Sequence, residues 1–342
     1  MAGCYGFRIR AQRCVCQHRE GKFRPATFDR GDRSDTFSNT MEAVEPQLCG
    51  ITFGVGDRRC CLRAGDAELR EGGKTVVVEV ETLEKRFNGK IAVSSVSFEV
   101  KEGDIFVLVG PNGAGKTTTL RCLCGEIAPD SGRVRVFGSS PFRVKDRIAV
   151  LEESRTTLSK LKPSQYEELW QLLYPRWSSR LFRDLILHFK VDEEKPVSSF
   201  SAGMRTLFFL SLTLASGAGL LLLDEPTQGI DVEKKTEMLS IFKELEGRTV
   251  VISTHQLDEV EWVADSFAII SEGRTVYADS LAHAKETHRV TRPSELSDED
   301  RVLFSFDDGT VLVETRRDIG RYPSFVEIGT AYLKRSAKLS LI

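Results

Sequence analysis

The sequence predicts an α/β fold, with a mostly parallel sheet covered by helices. Four apolar runs support this prediction, because strands that are buried on both faces read as continuous apolar residues. The runs lie at residues 105–109, 219–227, 248–254 and 265–271. Stretches that favour helices alternate with them, at residues 231–246 and 256–264.

An antiparallel β subdomain is predicted at the N-terminal side of this sheet. Residues 75–83 and 93–100 alternate in part between apolar and polar side chains, and a turn signal, Asn88-Gly89, separates them. Further strands are predicted at residues 133–138 and 147–151.

A compact helical insertion is predicted at about residues 154–199. Pro163 can open a helix, because its fixed φ suits the first turn, and residues 177–189 repeat apolar side chains at helical spacing. After Lys285 the pattern changes to two strands around the turn signal Asp308-Gly309, followed by a helical stretch. We therefore expect a small α+β accessory unit at residues 287–342.

Composition limits the partners that bulk charge could attract. The 342 residues are 41% hydrophobic and 29% charged, and the formal net charge is -2. A nearly neutral chain has no general attraction for nucleic acid or for an anionic membrane surface. We expect no nucleic-acid partner, and any partner must be argued from local sites.

One apolar stretch could be interpreted as a membrane span. Residues 206–223 are uncharged and nearly long enough to cross a bilayer. Small residues at 216–219 interrupt the stretch, and Asp224 and Glu225 follow it directly. These features favour a buried helix, a turn and a buried strand, so we expect no transmembrane segment.

The first 73 residues differ from the rest of the chain. They hold six of the eight cysteines and show no sustained helical or strand period. A Cys-x-Cys and a Cys-Cys pair could suggest metal binding, but their separation fits no common zinc spacing. We interpret residues 1–73 as a disordered or non-native extension. Nothing in the cysteine pattern implies disulfides, which favours the cytoplasm.

A glycine-rich loop follows the apolar run at residues 105–109. Its fixed positions are those of the nucleoside triphosphate loop, in which glycines let backbone N–H groups turn towards phosphate. Lys116 is expected to reach the β- and γ-phosphates, and Thr117 to bind Mg²⁺. The alternative is an ordinary glycine-rich turn between a strand and a helix. The predicted phosphate-contacting residues are Gly110, Pro111, Asn112, Gly113, Ala114, Gly115, Lys116, Thr117 and Thr118.

Two acids and a histidine follow later apolar runs. Asp224 and Glu225 come at the carboxyl end of a predicted strand, the edge where ligands bind in open α/β sheets. Asp224 could hold Mg²⁺ through water, while Glu225 polarises an attacking water. His255, at the end of the next predicted strand, could donate to the γ-phosphate. The alternatives are an acidic capping turn before Pro226 and a histidine with no role beyond its strand end.

With these residues in order, residues 75–286 resemble the ATP-binding-cassette (ABC) ATPases. The segment Phe200–Met204, FSAGM, occupies the place of that family's serine signature, and Ser201 and Gly203 match it. The resemblance implies that two ATP molecules are held in a two-fold dimer, each between one subunit's glycine loop and the other's signature. The further ATP-binding residues that it implies are Phe87, on which adenine stacks, and Ser201, Ala202, Gly203 and Asp231.

This chain departs from the family pattern at two places that affect the chemistry. Glu153 occupies the position of a glutamine that contacts Mg²⁺ and water, so an extra acid would lie beside the metal. Ala202 and Met204 replace a glycine and a glutamine of the signature.

Residues 173–177, LYPRW, are similar to a subgroup of cassette ATPases that serve small bacterial exporters.

The resemblance implies an ATPase subunit that couples dimer closure to a separate membrane permease, with export as the favoured direction. Residues 74–286 would form the nucleotide-binding domain, and the permease would contact residues 153–177 at the cytoplasmic face of the membrane. Catalysis would depend on Lys116, Glu153, Glu225 and His255, and Mg²⁺ on Thr117, Glu153 and Asp224. The alternatives are a soluble cassette ATPase that acts on ribosomes or DNA, and an ATP-gated switch with slow turnover.

Overall fold

A large mixed sheet carries the predicted site residues. The computed structural model describes residues 74–158, 160–245 and 247–339. The extension predicted for residues 1–73 therefore lies outside the described residues. The strands of the large sheet are β1 (Val76–Phe87), β2 (Lys90–Lys101), β3 (Ile105–Val109), β4 (Ser131–Val136), β5 (Ile148–Leu151), β6 (Leu220–Asp224), β7 (Thr249–Thr254), β8 (Ser266–Ser271) and β9 (Arg274–Ser280).

The order of these strands confirms the predicted α/β fold class. From edge to edge they run β4-β1-β2-β9-β8-β3-β7-β6-β5. The pairs between β5 and β8 are all parallel, whereas β1 pairs antiparallel with both β2 and β4. The antiparallel part therefore forms the predicted N-terminal β subdomain beside a parallel core. Every residue of β3 and β6 is buried, as their continuous apolar runs predict.

Eight α-helices accompany the sheet among the described residues. The first follows the glycine loop, the next two form the predicted insertion, and the last closes the chain. They are α1 (Lys116–Leu123), α2 (Pro163–Leu173), α3 (Ser179–His188), α4 (Ala202–Ala215), α5 (Val232–Lys243), α6 (Leu257–Val260), α7 (Leu281–Thr287) and α8 (Phe325–Leu339).

The ambiguous apolar stretch at residues 206–223 contains the end of α4, a turn and most of β6. Gly217 takes a left-handed φ of 69° at this turn, and a Cβ there would lie 2.2 Å from the carbonyl oxygen of Arg176. The chain can therefore reverse here only with glycine. Among residues 74–339 as described, no helix is long and apolar enough to cross a membrane.

Two strands were missed by sequence reasoning. β9 pairs antiparallel with β8 after a turn at Glu272 and Gly273, and most of its residues are only partly buried. Its largely polar sequence lacks the apolar periodicity that predicts a strand. The other, β10, holds three polar residues in its four-residue length. The helix predicted at residues 256–264 is also shorter than expected, since α6 ends at Val260.

The C-terminal part of the chain adds a three-stranded antiparallel sheet and α8. The sheet consists of β10 (His288–Thr291), β11 (Arg301–Ser305) and β12 (Val311–Glu314), in the order β10-β12-β11. Helix α8 packs on the large sheet, where the Phe325 ring lies 4.7 Å from that of Phe267 and Tyr332 stacks on Tyr277 at 4.3 Å. The boundary of this unit at residue 287 stays a prediction.

Candidate functional site

Three adjacent parallel strands bring three of the four predicted catalytic residues, Lys116, Glu225 and His255, to one edge of the sheet. The fourth, Glu153, follows β5, the next strand beyond β6. β7 lies between β3 and β6, with Val109 opposite Thr254 and Asp224 opposite Ser253. The glycine loop, the acid pair and His255 each follow the carboxyl end of one of these strands. Because parallel strands end at the same edge, residues far apart in the sequence meet there.

The glycine loop between β3 and α1 requires its glycines for conformation and space. Gly113 and Gly115 have left-handed φ values of 80° and 103°. A Cβ at Gly110 would lie 2.3 Å from the carbonyl oxygen of Ile270, in the neighbouring strand. A side chain would be strained at Gly113 and Gly115 and would clash at Gly110, so glycine lets the loop follow a path that an anion cradle needs.

Lys116 places a buried ammonium group inside this loop. Its side chain is 6% exposed, and Nζ donates to the carbonyl oxygens of Gly110, at 2.8 Å, and Pro111, at 3.3 Å. The same Nζ lies 3.5 Å from Oε1 of Glu225. A lysine at this place supplies a positive charge beside backbone groups that suit phosphate.

Asp224 and Glu225 are both buried at the end of β6. The Asp224 carboxylate accepts a hydrogen bond from the Ser253 hydroxyl, and the Glu225 N–H donates to the Ser253 carbonyl oxygen at 3.1 Å. Glu225 has a left-handed φ of 46°, which is rare for a residue with a side chain. Such backbone strain is concentrated at functional sites, where the surrounding contacts must hold it.

His255 contacts the side chain of Glu225. Nδ1 of His255 lies 3.0 Å from each carboxylate oxygen of Glu225. Lys116 and His255 therefore both contact this carboxylate, and the imidazole keeps its other nitrogen for a further partner. The arrangement suits a carboxylate that orients water and a histidine that reports on a nearby phosphate.

A cavity of about 290 Å³ lies beside the acids. It is lined by Thr117, Glu153, Asp224 and Gln228, among others. Hydroxyl, carboxylate and amide oxygens are the ligands that Mg²⁺ prefers. The three residues predicted to bind the metal therefore share one cavity, and their chemistry fits Mg²⁺.

Sequence reasoning missed Arg155 and Ser253. Arg155 is 8% exposed, and its guanidinium donates to backbone carbonyl oxygens of Glu153, at 2.7 Å, and Glu225, at 2.6 Å. Burial lowers the pKa of this guanidinium from its ordinary value, although the surrounding acids favour its charged form. No motif marks either residue, because the contacts that bring them to the acids, Arg155 with Glu225 and Ser253 with Asp224, join distant parts of the chain.

The other predicted ATP-binding residues lie apart from this group. Ser201 caps α4, its hydroxyl accepting from the Met204 N–H at 3.2 Å, and Asp231 caps α5 in the same way. Phe87 lies half-exposed at the end of β1. Among the described residues, no hydrogen bond or ion pair joins these residues, Ala202 or Gly203 to the carboxylates, Lys116 or His255. Their predicted role across a dimer stays a prediction.

Comparisons with known proteins agree with this architecture. The sequence model of the ABC transporter family matches residues 93–228. The Nod factor export ATP-binding protein I of Ralstonia nicotianae is 31% identical over 229 residues, which cover 64% of this chain and 71% of that protein. The bacitracin transport ATP-binding protein BcrA of Bacillus licheniformis is 30% identical over 257 residues, or 72% of this chain and 82% of that protein.

Solved structures show the same fold. The ATP-binding subunit of an ABC transporter is 24% identical with a TM-score of 0.56, over 61% of this chain and 92% of that one. A dimeric ATP-binding cassette in a post-hydrolysis state, bound to ADP and Pi, is 20% identical with a TM-score of 0.54, over 60% of this chain and 98% of that one. The fold, the sequence match and the relatives lead to one conclusion: the chain belongs to the ABC transporter family, as an ATP-binding subunit that hydrolyses ATP for transport.

Proposed function

We propose that this chain pairs with a second ATPase subunit, closes on ATP and Mg²⁺, and thereby drives a separate membrane permease that exports its substrate. The observation that carries the proposal is the convergence of Lys116, Asp224, Glu225 and His255 at one edge of the sheet. The names of two relatives, a Nod factor export protein and a daunorubicin/doxorubicin resistance protein, support the direction.

The glycine loop would hold the phosphates of ATP. Residues 110–118 supply backbone N–H groups, Lys116 supplies a positive charge, and the N-terminus of α1 adds a partial positive charge. Thr117, Asp224 and Glu153 would hold Mg²⁺, because these three residues line the same cavity and carry oxygen ligands. When bound, Mg²⁺ would neutralise charge on the phosphate oxygens.

Glu225 would orient the attacking water and accept its proton. Its carboxylate is buried and contacted by Lys116 and His255, so it is held in place before the substrate binds. His255 would donate a hydrogen bond towards the γ-phosphate while its Nδ1 keeps contact with Glu225. The chain's contribution is therefore mainly positioning and charge, as phosphoryl transfer needs.

The signature residues would complete the site of the partner subunit. Ser201 and Ala202 are exposed at the N-terminus of α4, an end that favours anions. A Cβ at Gly203 would lie 2.8 Å from the carbonyl oxygen of Gly229, so this position packs against the loop before Asp231. Phe87, exposed at the β1–β2 hairpin, would stack on adenine.

The permease would dock on the helical insertion, at the cytoplasmic face of the membrane. Leu158, Leu172 and Leu173 are 50%, 84% and 63% exposed there. The neighbouring exposed leucines at 172 and 173 support an apolar contact surface on this insertion. We expect a photo-crosslinking amino acid in place of Leu172 to trap a multi-spanning membrane protein, and the same replacement of Val302, in the C-terminal sheet, to trap none.

The direct test compares the purified unaltered chain with Glu225→Gln. We expect the unaltered chain to hydrolyse ATP, and the variant to accumulate as an ATP-bound dimer that light scattering detects. Equal and nearly zero hydrolysis by both proteins, without dimerisation, would contradict the proposal.

A further inference from the structure

Arg155 joins two parts of the chain that both belong to the proposed catalytic site. It lies in the segment between β5 and α2, two residues after Glu153. Nη1 donates to the Glu153 carbonyl oxygen at 2.7 Å, and Nη2 donates to the Glu225 carbonyl oxygen at 2.6 Å. One planar group thus links the backbone at the proposed metal ligand to the backbone at the proposed base.

Arg155 and Glu225, which are joined by the bond that is longer-range in sequence, both have unusual backbone conformations. Arg155 has a φ of 42° and Glu225 a φ of 46°, in the left-handed region that residues with side chains disfavour. Such conformations persist only where surrounding contacts hold them. The guanidinium supplies such a contact at the carbonyl of Glu225.

The Glu225 carbonyl oxygen has one other hydrogen-bond partner among the described residues, the Gln228 N–H at 3.2 Å. The Arg155 bond is shorter and carries a charge, and charge-assisted hydrogen bonds are roughly twice as strong as neutral ones. Losing it would therefore leave the turn at residues 225–228 with a single weaker bond at this carbonyl.

Stability alone gives a poor account of a guanidinium at this place. The side chain is buried, and its Nε has no hydrogen-bond partner in the part of the chain that the structure describes. Burying a charge and leaving a polar atom unpaired both oppose folding. A well-packed apolar side chain would avoid that cost but could not hold two carbonyl groups.

We propose that Arg155 is a positioning residue for ATP hydrolysis, which fixes the backbone of Glu225 and couples it to the segment that carries Glu153. This inference rests on the proposed function, since it assigns Glu225 as the base. If the insertion moves and shifts residues 152–155, the guanidinium would transmit that shift to the backbone of Glu225.

Three variants test the role. Arg155→Lys keeps the charge but loses the planar fork, and Arg155→Asn tolerates the left-handed backbone but is too short to reach Glu225. The matched control is Arg248→Lys, because Nη1 of Arg248 donates to the Leu214 carbonyl oxygen at 2.5 Å, away from the site. The measurements are kcat, KM for ATP, and hydrogen exchange of a peptide covering residues 220–230 in the nucleotide-free protein.

We expect both Arg155 variants to lower kcat by about 10- to 100-fold, since small misplacements of catalytic groups have effects of that size. KM should change by less than about threefold, because Arg155 contacts no loop residue that holds phosphate. Exchange at residues 225–228 should become faster in both variants, while Arg248→Lys should leave all three quantities unchanged.

Every other pattern overturns the inference. If the Arg155 variants behave like Arg248→Lys, the guanidinium neither holds the backbone at residues 225–228 nor affects hydrolysis. If kcat falls without faster exchange, the guanidinium acts through its charge, and if exchange rises without loss of kcat, the held backbone does not matter for hydrolysis. An unaltered chain that neither binds nor hydrolyses ATP would contradict the proposed function itself, whereas an active chain with unaffected variants would remove only the role of Arg155.

Discussion

The two halves of the proposed ATP site are built differently. In the acidic edge, which comprises Lys116, Asp224, Glu225 and His255, the side chains contact one another or neighbouring strands. In the serine loop, residues 201–203, the Ser201 hydroxyl caps its own helix. The fold of one chain thus completes the acidic edge, whereas the serine loop has an exposed helix N-terminus that a second subunit would use.

The largest effect is expected from Glu225→Gln in the acidic edge, which should lower the rate of hydrolysis but not the affinity for ATP. Glu225→Gln should lower kcat by about 10²- to 10⁴-fold, because it would remove the base that we propose accepts a proton from water. ATP affinity should stay within a few-fold, since the Lys116 contacts with the loop remain. Steady-state hydrolysis and nucleotide titration check both expectations.

The matched control is Glu259→Gln, whose carboxylate accepts from Lys235 at 2.5 Å outside the acidic edge. It should hydrolyse ATP at the unaltered rate. Similar losses of kcat in both variants would mean that Glu225 has no special role as a base.

Lys116→Ala should weaken ATP binding by about 30- to 150-fold, because a charged hydrogen bond contributes about 2 to 3 kcal/mol. The variant also removes the ammonium that lies 3.5 Å from the buried Glu225 carboxylate. Isothermal titration with a non-hydrolysable ATP analogue measures the change.

Lys285→Ala serves as the control for this variant. Its Nζ lies 2.8 Å from a carboxylate oxygen of Glu261, in a partly buried ion pair away from the glycine loop. Equal ATP affinity of the two variants would show that the loop lysine does not contact phosphate.

Stability and dimerisation measurements, rather than kcat, test the role of the serine loop. Ser201→Ala and Ser178→Ala each remove a serine that caps a helix, so each should lower the free energy of unfolding by about 1 kcal/mol. Only Ser201→Ala should also weaken ATP-driven dimerisation, by about tenfold, because the proposed charged hydrogen bond across the interface would be lost. Denaturant unfolding and light scattering separate the two effects; dimerisation that is equally strong in both variants would reduce Ser201 to a helix cap.

The smallest expected effect is a change in how stability depends on pH, and it comes from histidines outside both halves of the proposed ATP site. Burial lowers the pKa of His288, whose Nε2 lies 3.0 Å from the Tyr332 hydroxyl oxygen; Asp279, His283 and Glu314 also face it. The unfolded chain then binds the proton more readily, so this contribution to stability is present above the ordinary histidine pKa of about 6.5 and is lost as pH falls below it. His288→Gln should therefore lose less thermal stability on acidification than the unaltered chain.

His283→Gln should shift the same measurement in the opposite direction. A hydrogen bond to Asp279 raises the pKa of His283, so its contribution is present at acidic pH and is lost as pH rises through the raised value. Because His283 is exposed, the change should be small. Identical melting curves of both variants from pH 5 to 8 would contradict these assignments.

The sequence predicted the parts of the fold that depend on local patterns. Buried strands were recognised from continuous apolar runs, and the glycine loop from spacing, since its left-handed φ values admit few other residues. The partly exposed β9 and the short β10 lacked that signal. Arg155 and Ser253 were missed for another reason: their partners in the acid pair, Glu225 and Asp224, lie far away in the sequence.

The sequence by itself determined the strand that precedes the glycine loop, the conformation of that loop and the identity of the acids, because each depends on residues that are neighbours along the chain. Only the tertiary structure decided that Lys116 lies 3.5 Å from Glu225 and that Arg155 bonds the carbonyl of Glu225. The physical reason is strand order: β4, β5 and β6 lie between β3 and β7 in the chain, and only the parallel pairing of β7 with both β3 and β6 brings their carboxyl ends together.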